Sequence, residues 1–284
     1  MTIKEAINQG VIMLKNENIE SPKIKARVVL EYTLKKTREY LIIYDKAEIT
    51  SLQRDEYVRT IKRLIQGEPL QYITGMQEFM KLIFFVNKNV LIPRQDTEIL
   101  VEEVIEIAKN FENLEILDLC TGSGAIAVSL AKYVSSAKIT AVDISKEALE
   151  IARKNAKFNG VYQNIEFLES DMFKKLKNRK FDIIVSNPPY IASDIIKTLP
   201  KDVQREPRIA LDGGKNGLDF YNQIAEEGYK YLNRGGYICL EIGYDQARSV
   251  KEIFDRYSVY TQTYCKKDLC ENDRVLVSKY PVTN

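Results

Sequence analysis

The chain has 284 residues, 45% of them hydrophobic and 29% charged, and its 42 Lys and Arg against 40 Asp and Glu leave a formal charge of +2. That length fits one large domain with a small companion, and the near-balanced charge argues against a nucleic-acid or membrane partner held by a basic surface. The absence of His excludes Ser-His-Asp triads, Cys-His dyads and His-ligated zinc, leaving chemistry to carboxylates, amides, Tyr, Lys, backbone groups or a cofactor.

Residues 1–75 read as helices. Thr2-x-x-Glu5 opens an amphipathic run to about Leu14, Ser21-Pro22 offers a cap and a first-turn proline for a run through Leu34, and Thr50-x-x-Gln53 opens a third through Leu64. The N-terminus lacks an apolar signal region. The longest uncharged run of the C-terminal part, 119–131, falls short of the roughly 20 residues that span a bilayer, so a cytoplasmic protein without a membrane partner is expected. Four cysteines without C-x-x-C spacing read as reduced thiols, and no apolar seam suggests more than a monomer.

Gly67-Glu68-Pro69 and Gly75 punctuate a connection, after which strands over 79–86 and 89–92 are predicted around Asn87-Lys88, making 76–95 a β-hairpin linker. Strands over 115–120, 138–144, 165–169, 181–186 and 237–242 then alternate with helices over 125–133, 146–158, 217–232 and 246–254. This alternation predicts an α/β fold with a mostly parallel, doubly wound sheet over 96–284. Strands over 260–265 and 274–279 are joined by too short a loop for a crossover helix, so one of them must run antiparallel.

The strand over 115–120 delivers Asp118 and Cys120 into Thr121-Gly122-Ser123-Gly124 and then a helix. Glycines at 122 and 124 remove Cβ atoms where a ligand must approach the backbone, beside the free N–H groups of a helix N-terminus. Asp143 lies 21 positions after Gly122, close to the ~20-residue offset at which a carboxylate meets ribose hydroxyls. Together they indicate an adenosine-type ligand, with Asp118 placed for a cationic amino acid head group. At the end of the third strand, Asp171 is a candidate for an adenine amine and Met172 for packing on the ring. Gly122-x-Gly124-x-x-Ala127 also fits a dinucleotide fingerprint, which keeps an NAD-dependent dehydrogenase in contention. Against it, the single Tyr-x-x-x-Lys pair, Tyr32 and Lys36, precedes the nucleotide fold.

The sharpest signal is Ser186-Asn187-Pro188-Pro189-Tyr190 at the end of the fourth strand. Consecutive prolines terminate the strand and hold a rigid loop at the ligand-binding edge. That loop aims two acceptors, the Asn187 side-chain oxygen and the Pro188 carbonyl, at a planar NH2 group, and Tyr190 is placed to stack on it. Binding both hydrogens of an amide nitrogen orients it for attack on an electrophilic methyl, chemistry that needs no histidine.

Asn187-Pro188-Pro189-Tyr190 after such a glycine loop resembles the class I S-adenosyl-L-methionine-dependent methyltransferases that act on planar nitrogen. More closely, the chain resembles the HemK/PrmC-type release factor glutamine methyltransferases over nearly its whole length. The segments that carry the resemblance are 67–75, 90–98, 118–124, 187–190, Glu206-Pro207-Arg208 with Ala210-Leu211, and Glu241-Ile242-Gly243. The resemblance implies a Rossmann-like seven-stranded sheet with one antiparallel strand and a helical N-terminal domain, 1–75, that helps hold a protein substrate. It implies methylation of the glutamine N5 in the Gly-Gly-Gln motif of class I peptide chain release factors, leaving S-adenosyl-L-homocysteine. By position, Cys120 to Gly124, Asp143, Met172 and Asn187 would contact the cofactor, and Asn187 to Tyr190 the glutamine. Cys120 stands where the family often has Gly, a replacement tolerated if its backbone keeps a negative φ. Met172 stands where an aromatic is common. The rival within the same chemistry is a nucleic-acid amino-methyltransferase acting on adenine N6 or guanine N2, for which neither a basic groove nor a recognition insertion is visible.

Overall fold

The structure, a computed structural model, describes residues 1–282. Two compact units are formed, Met1–Gly75 together with Pro200–Arg205, and Met76–Leu199 together with the chain from Glu206 onward. In the first unit, α1 (Ile3–Asn16), α2 (Pro22–Leu34), α3 (Arg38–Ile43), α4 (Ser51–Ile65) and α5 (Leu70–Thr74) follow one another. Reciprocal capping boxes, Thr2 with Glu5 and Thr50 with Gln53, start α1 and α4, satisfying N–H groups that a helix leaves unpaired. Ser21 differs from expectation: it sits in the left-handed region at φ 52° and makes no side-chain cap, leaving Pro22 alone to start α2. Leu14, Val29, Leu30 and Ile61 close around Tyr57, whose hydroxyl donates to the Ala26 carbonyl at 3.2 Å. The segment 96–284 is not continuous as expected, because Pro200–Arg205 packs within this unit. There the Arg205 guanidinium donates to the Gln66 carbonyl at 3.2 Å, a contact without a sequence-local signal.

The second unit opens with a hairpin of β1 (Met76–Phe79) and β2 (Leu82–Phe85). Its turn is Met80-Lys81, both at positive φ, so the predicted turn at Asn87-Lys88 and a strand over 89–92 are corrected. Two left-handed residues suit the twist of a two-residue hairpin, and the usual Asn-Gly signal is missing here. Tertiary partners hold this turn: the Met80 N–H donates to Glu98 Oε1 at 2.6 Å, and the Tyr133 hydroxyl donates to the Met80 carbonyl at 2.5 Å.

Next come α6 (Asp96–Ala108), β3 (Leu114–Leu119), α7 (Ala125–Tyr133), β4 (Ala137–Asp143), α8 (Lys146–Phe158), β5 (Ile165–Glu169), β6 (Phe181–Ser186), α9 (Asp219–Glu227), β7 (Leu232–Glu241), α10 (Ala247–Asp255), β8 (Thr261–Lys267) and β9 (Asp273–Lys279). Helix α6 was not anticipated, although Leu100, Val101, Val104, Ile107 and Ala108 lie buried on it at helical spacing. The sheet order is β5-β4-β3-β6-β7-β9-β8. Pairings from β5 to β7 are parallel, whereas β9 runs antiparallel to both of its neighbours. Ile116, Ile183 and Val185 pack with α6 and α7 on one face, and Leu117, Ile184 and Leu240 with Tyr221, Val250 and Phe254 on the other. Covered on both faces, these strands read as continuous apolar runs. The parallel strands end at one edge, bringing together the loops after β3, β4, β5, β6 and β7.

Candidate active site

A cleft opens at that edge, lined among others by Cys120, Gly122, Asp143, Asp171, Met172, Asn187 and Pro189. These seven predicted positions come from four separate loops. Asp118, Thr121, Ser123 and Gly124 do not line it. Asp118 is 0% exposed, and its Oδ2 accepts the Thr121 hydroxyl at 2.6 Å and the Ala127 N–H at 3.2 Å. The expectation that Asp118 meets a ligand head group is therefore corrected: the carboxylate sits behind the loop and ties its two ends together. Its Oδ1 has no partner among the described residues, and burial raises its pKa to about 7, with the Asp143 charge adding to the rise.

Gly124 starts α7 at φ 79°, and a Cβ there would press on the Ala152 Cβ at 3.0 Å. Its role is the close approach of α7 to α8. Gly122 faces open space, since a Cβ built on it meets no atom nearer than the Cys120 carbonyl at 4.0 Å. That gap is a cradle in which a ligand can lie against the backbone. Asp143 is held rigidly beside it. One carboxylate oxygen accepts the Gly122 N–H at 2.8 Å and the other the Ser145 N–H at 2.9 Å, and burial raises its pKa. Each oxygen keeps a lone pair for a hydroxyl donor. Ile144, half exposed, and Met172 add apolar wall to the cleft. Apolar walls, a Cβ-free floor and a fixed carboxylate fit an adenosine-type group.

Cys120 departs from expectation at φ 59°, a left-handed conformation that strains any side chain with a Cβ. Its thiol approaches the Met172 sulfur at 3.7 Å, and burial pushes the thiol pKa well above the usual range. Asp171 pairs with Lys174 at 2.5 Å across the turn that follows β5.

Both prolines of the Asn187-Pro188-Pro189-Tyr190 loop are buried. Behind it, Ser186 donates to the Leu119 carbonyl at 2.7 Å, joining the loop's base to the strand that carries the glycine turn. The Asn187 amide nitrogen donates to Thr97 Oγ1 at 3.2 Å. No described donor reaches Asn187 Oδ1 or the Pro188 carbonyl. Tyr190 is fixed by its hydroxyl, which donates to Glu241 Oε1 at 3.3 Å, and by Gln246, whose amide donates to the Tyr190 carbonyl at 2.9 Å.

Several participants carry no local signature. Asn155, fully buried on α8, donates to the Ser123 carbonyl at 2.8 Å and accepts the Phe85 N–H at 2.7 Å, linking the glycine loop to the hairpin. Glu206 is buried, accepts the Ile92 N–H at 2.9 Å and pairs with Arg94. That pairing accounts for two separated segments, 90–98 and 206–211, meeting beside one cleft. Glu98 turns away to the hairpin, and Thr97 faces Asn187.

Comparison with known proteins agrees with this geometry. The family model described as "Methyltransferase small domain" matches residues 95–203, and that described as "PrmC N-terminal domain" matches 5–75. Release factor glutamine methyltransferases of Moorella thermoacetica and Clostridium acetobutylicum are each 40% identical to the chain, over 98% of it and 98% of their own length. A bifunctional methyltransferase of Rickettsia bellii is 34% identical over 97% of the chain and 54% of its own length. Among solved structures, a methyltransferase from Pyrococcus furiosus shares the fold with a TM-score of 0.51 at 21% identity, covering 70% of this chain and 89% of that one. The hMettl16 catalytic domain, solved in complex with an RNA hairpin, shares it with a TM-score of 0.55 at 16% identity, covering 81% and 82%. Full-length similarity to proteins of one name, carried by a helical unit and a sheet edge that ends in Asn-Pro-Pro-Tyr, leaves one assignment: the chain belongs to the release factor glutamine methyltransferase family.

Proposed function

We propose that this protein transfers the methyl group of S-adenosyl-L-methionine to the side-chain nitrogen N5 of the glutamine in the Gly-Gly-Gln motif of class I peptide chain release factors. The observation that carries the reading is the pair of unpartnered acceptors, Asn187 Oδ1 and the Pro188 carbonyl, held by two buried prolines beside the Gly122 and Asp143 cleft. When bound, S-adenosyl-L-methionine supplies an electrophilic methyl and departs as S-adenosyl-L-homocysteine. Asp143 would accept the ribose hydroxyls, Gly122 would let them approach the backbone, Met172 and Ile144 would flank the base, and Asp171 would accept its amine. Asn187 and Pro188 each accept one hydrogen of the glutamine NH2. This fixes the amide plane and raises electron density on a nitrogen whose lone pair is otherwise delocalised. The N–C bond forms as the S–C bond breaks, and one proton of the nitrogen passes to water during or after transfer, so no imidazole is required. Tyr190, immobilised through Glu241, bounds the side of the amide.

The family model that matches residues 5–75 supports a substrate-holding role for the helical unit. Among the described residues no helix is long and apolar enough to cross a membrane, and the reading places a monomeric enzyme in the cytoplasm with its release factors, without nucleic acid as a direct partner. Incubation with labelled donor tests it: label is expected on a release factor and absent from a variant whose motif glutamine is Ala, from DNA and from RNA. Label on nucleic acid, or persisting in the Ala variant, would overturn the assignment. Asn187→Ala is expected to leave donor affinity intact while kcat falls by at least ~10²-fold, the order of losing one orienting polar group. Wild-type turnover would remove that role.

A further inference from the structure

We infer that Thr97 and Glu241 are positioning residues for Asn187, a hydrogen-bond relay whose direction decides whether the Asn187 amide turns its oxygen or its NH2 toward the substrate. The inference deepens the role given to Asn187 above and rests on it. Thr97, in the first turn of α6, is 4% exposed, and Glu241, the last residue of β7, is 1% exposed. They lie 144 positions apart in sequence, and the Thr97 hydroxyl donates to Glu241 Oε2 at 2.5 Å. A hydroxyl has one proton, and an ionised carboxylate only accepts. With that proton committed to Glu241, the Thr97 oxygen can only accept, and the Asn187 group 3.2 Å away must be its NH2. Asn187 Oδ1 is thereby turned away from Thr97 as the free acceptor a substrate NH2 requires. Glu241 Oε1 accepts the Tyr190 hydroxyl at 3.3 Å, so one carboxylate indexes both ends of the Asn-Pro-Pro-Tyr loop.

Protonation reverses the relay. A neutral Glu241 donates to Thr97, Thr97 then donates to Asn187 Oδ1, and the amide presents NH2 to a substrate NH2, two donors facing each other. The groups around Glu241 are Thr97 and Asp96 from α6, Tyr190 from the loop after β6, Tyr221 from α9 and Arg274 from β9. Tyr221 donates to the Glu241 carbonyl at 3.0 Å, and Arg274 pairs with Asp96 at 3.3 Å. Burial is the dominant influence and raises the Glu241 pKa to about 7, opposed by the Thr97 hydrogen bond and the Arg274 charge. A buried scaffold contact would not make Asn187 respond to pH in this way.

The test uses full-length wild type, Thr97→Val, Thr97→Ser and Glu241→Gln. At pH 8, Thr97→Val is expected to lower kcat about 10- to 100-fold with an unchanged dissociation constant for S-adenosyl-L-methionine, and Thr97→Ser to recover to within about threefold of wild type. Wild-type kcat is expected to fall as pH drops through about 7, and Glu241→Gln to lose that limb. Persistence of the limb would assign it to Asp118 or Asp143 and overturn the relay. A second readout needs no substrate. The Asn187 side-chain NH2 resonance, identified by its loss in Asn187→Ala, is expected to shift with pH in the ligand-free wild type and not in Glu241→Gln. An Asn187 resonance indifferent to pH, or a Thr97→Ser variant as slow as Thr97→Val, would overturn the inference. Failure of the wild type to label a release factor would instead count against the function proposed above, and the resonance experiment would still decide the relay.

Discussion

Cys120 holds φ 59° directly before the cleft floor, a conformation costing a residue with a Cβ roughly 1–2 kcal/mol. Cys120→Gly is expected to raise stability by about 1 kcal/mol, offset in part by the lost contact with Met172, and a urea midpoint that moves upward with an unchanged slope would confirm it. A midpoint that falls would show that the sulfur contact outweighs the strain. Asp143 presents a second case decided at one side chain. Its two oxygens are already oriented by Gly122 and Ser145, so ribose binding requires no rearrangement of the carboxylate. Asp143→Ala is expected to weaken S-adenosyl-L-methionine binding at least ~10-fold, the order of losing hydrogen bonds to a charged acceptor, with calorimetric titration as the check. An unchanged dissociation constant would remove the ribose assignment.

Elements meet at the site through buried polar ties. Helix α8 supplies Asn155, which bridges the end of β2 and the glycine loop, and Asn159, whose amide donates to the Ile83 carbonyl at 3.0 Å. Removing the Asn155 amide leaves backbone groups of Phe85 and Ser123 without their partner. Asn155→Ala is therefore expected to destabilise the second unit by about 1–3 kcal/mol, with amide exchange accelerated first at Phe85. Uniform acceleration across the sheet would argue for global loss and not for a local tie. The hairpin itself shows why its turn has no signature in the local sequence. Its turn depends on Glu98 and Tyr133, distant in sequence, and Met80-Lys81 has no propensity for positive φ.

Across the whole molecule, buried carboxyls set the response to pH. Burial raises the pKa of Asp118 and of Glu241 to about 7 each, and raises that of Asp143, against values near 4 in an unfolded chain. Between about pH 4 and pH 7 the folded state therefore holds more protons than the unfolded one, and their contribution to stability falls as pH rises through that window. It is fully present below about pH 4 and gone above about pH 7. Asp118→Asn, which keeps an acceptor for Thr121, is expected to flatten this decline, read as the melting temperature measured from pH 5 to pH 8. A slope as steep as wild type would show that Asp118 does not titrate in that window. With no His in the chain, a change in this range belongs to carboxyls.

Composition, periodicity and motif spacing were enough to specify the α/β class, the antiparallel tail and the four loops that converge on the cleft. Those features depend on patterns within about 20 neighbouring residues, where apolar alternation, prolines and glycines act locally. The same patterns did not separate Asp118, which ties the glycine loop from behind, from Gly122 and Asp143, which face the cleft, because adjacent positions on a strand and its turn differ only in direction. They give no role to Asn155, nor to Thr97, Glu206 and Glu241, which stand in the sequence only as parts of segments that carry the family resemblance. Each of these is a polar residue whose partner lies roughly 30 to 144 positions away in sequence, and a buried hydrogen bond at that separation leaves no local imprint. Packing between elements alone decides which buried polar atoms meet, and so which way the Asn187 amide points.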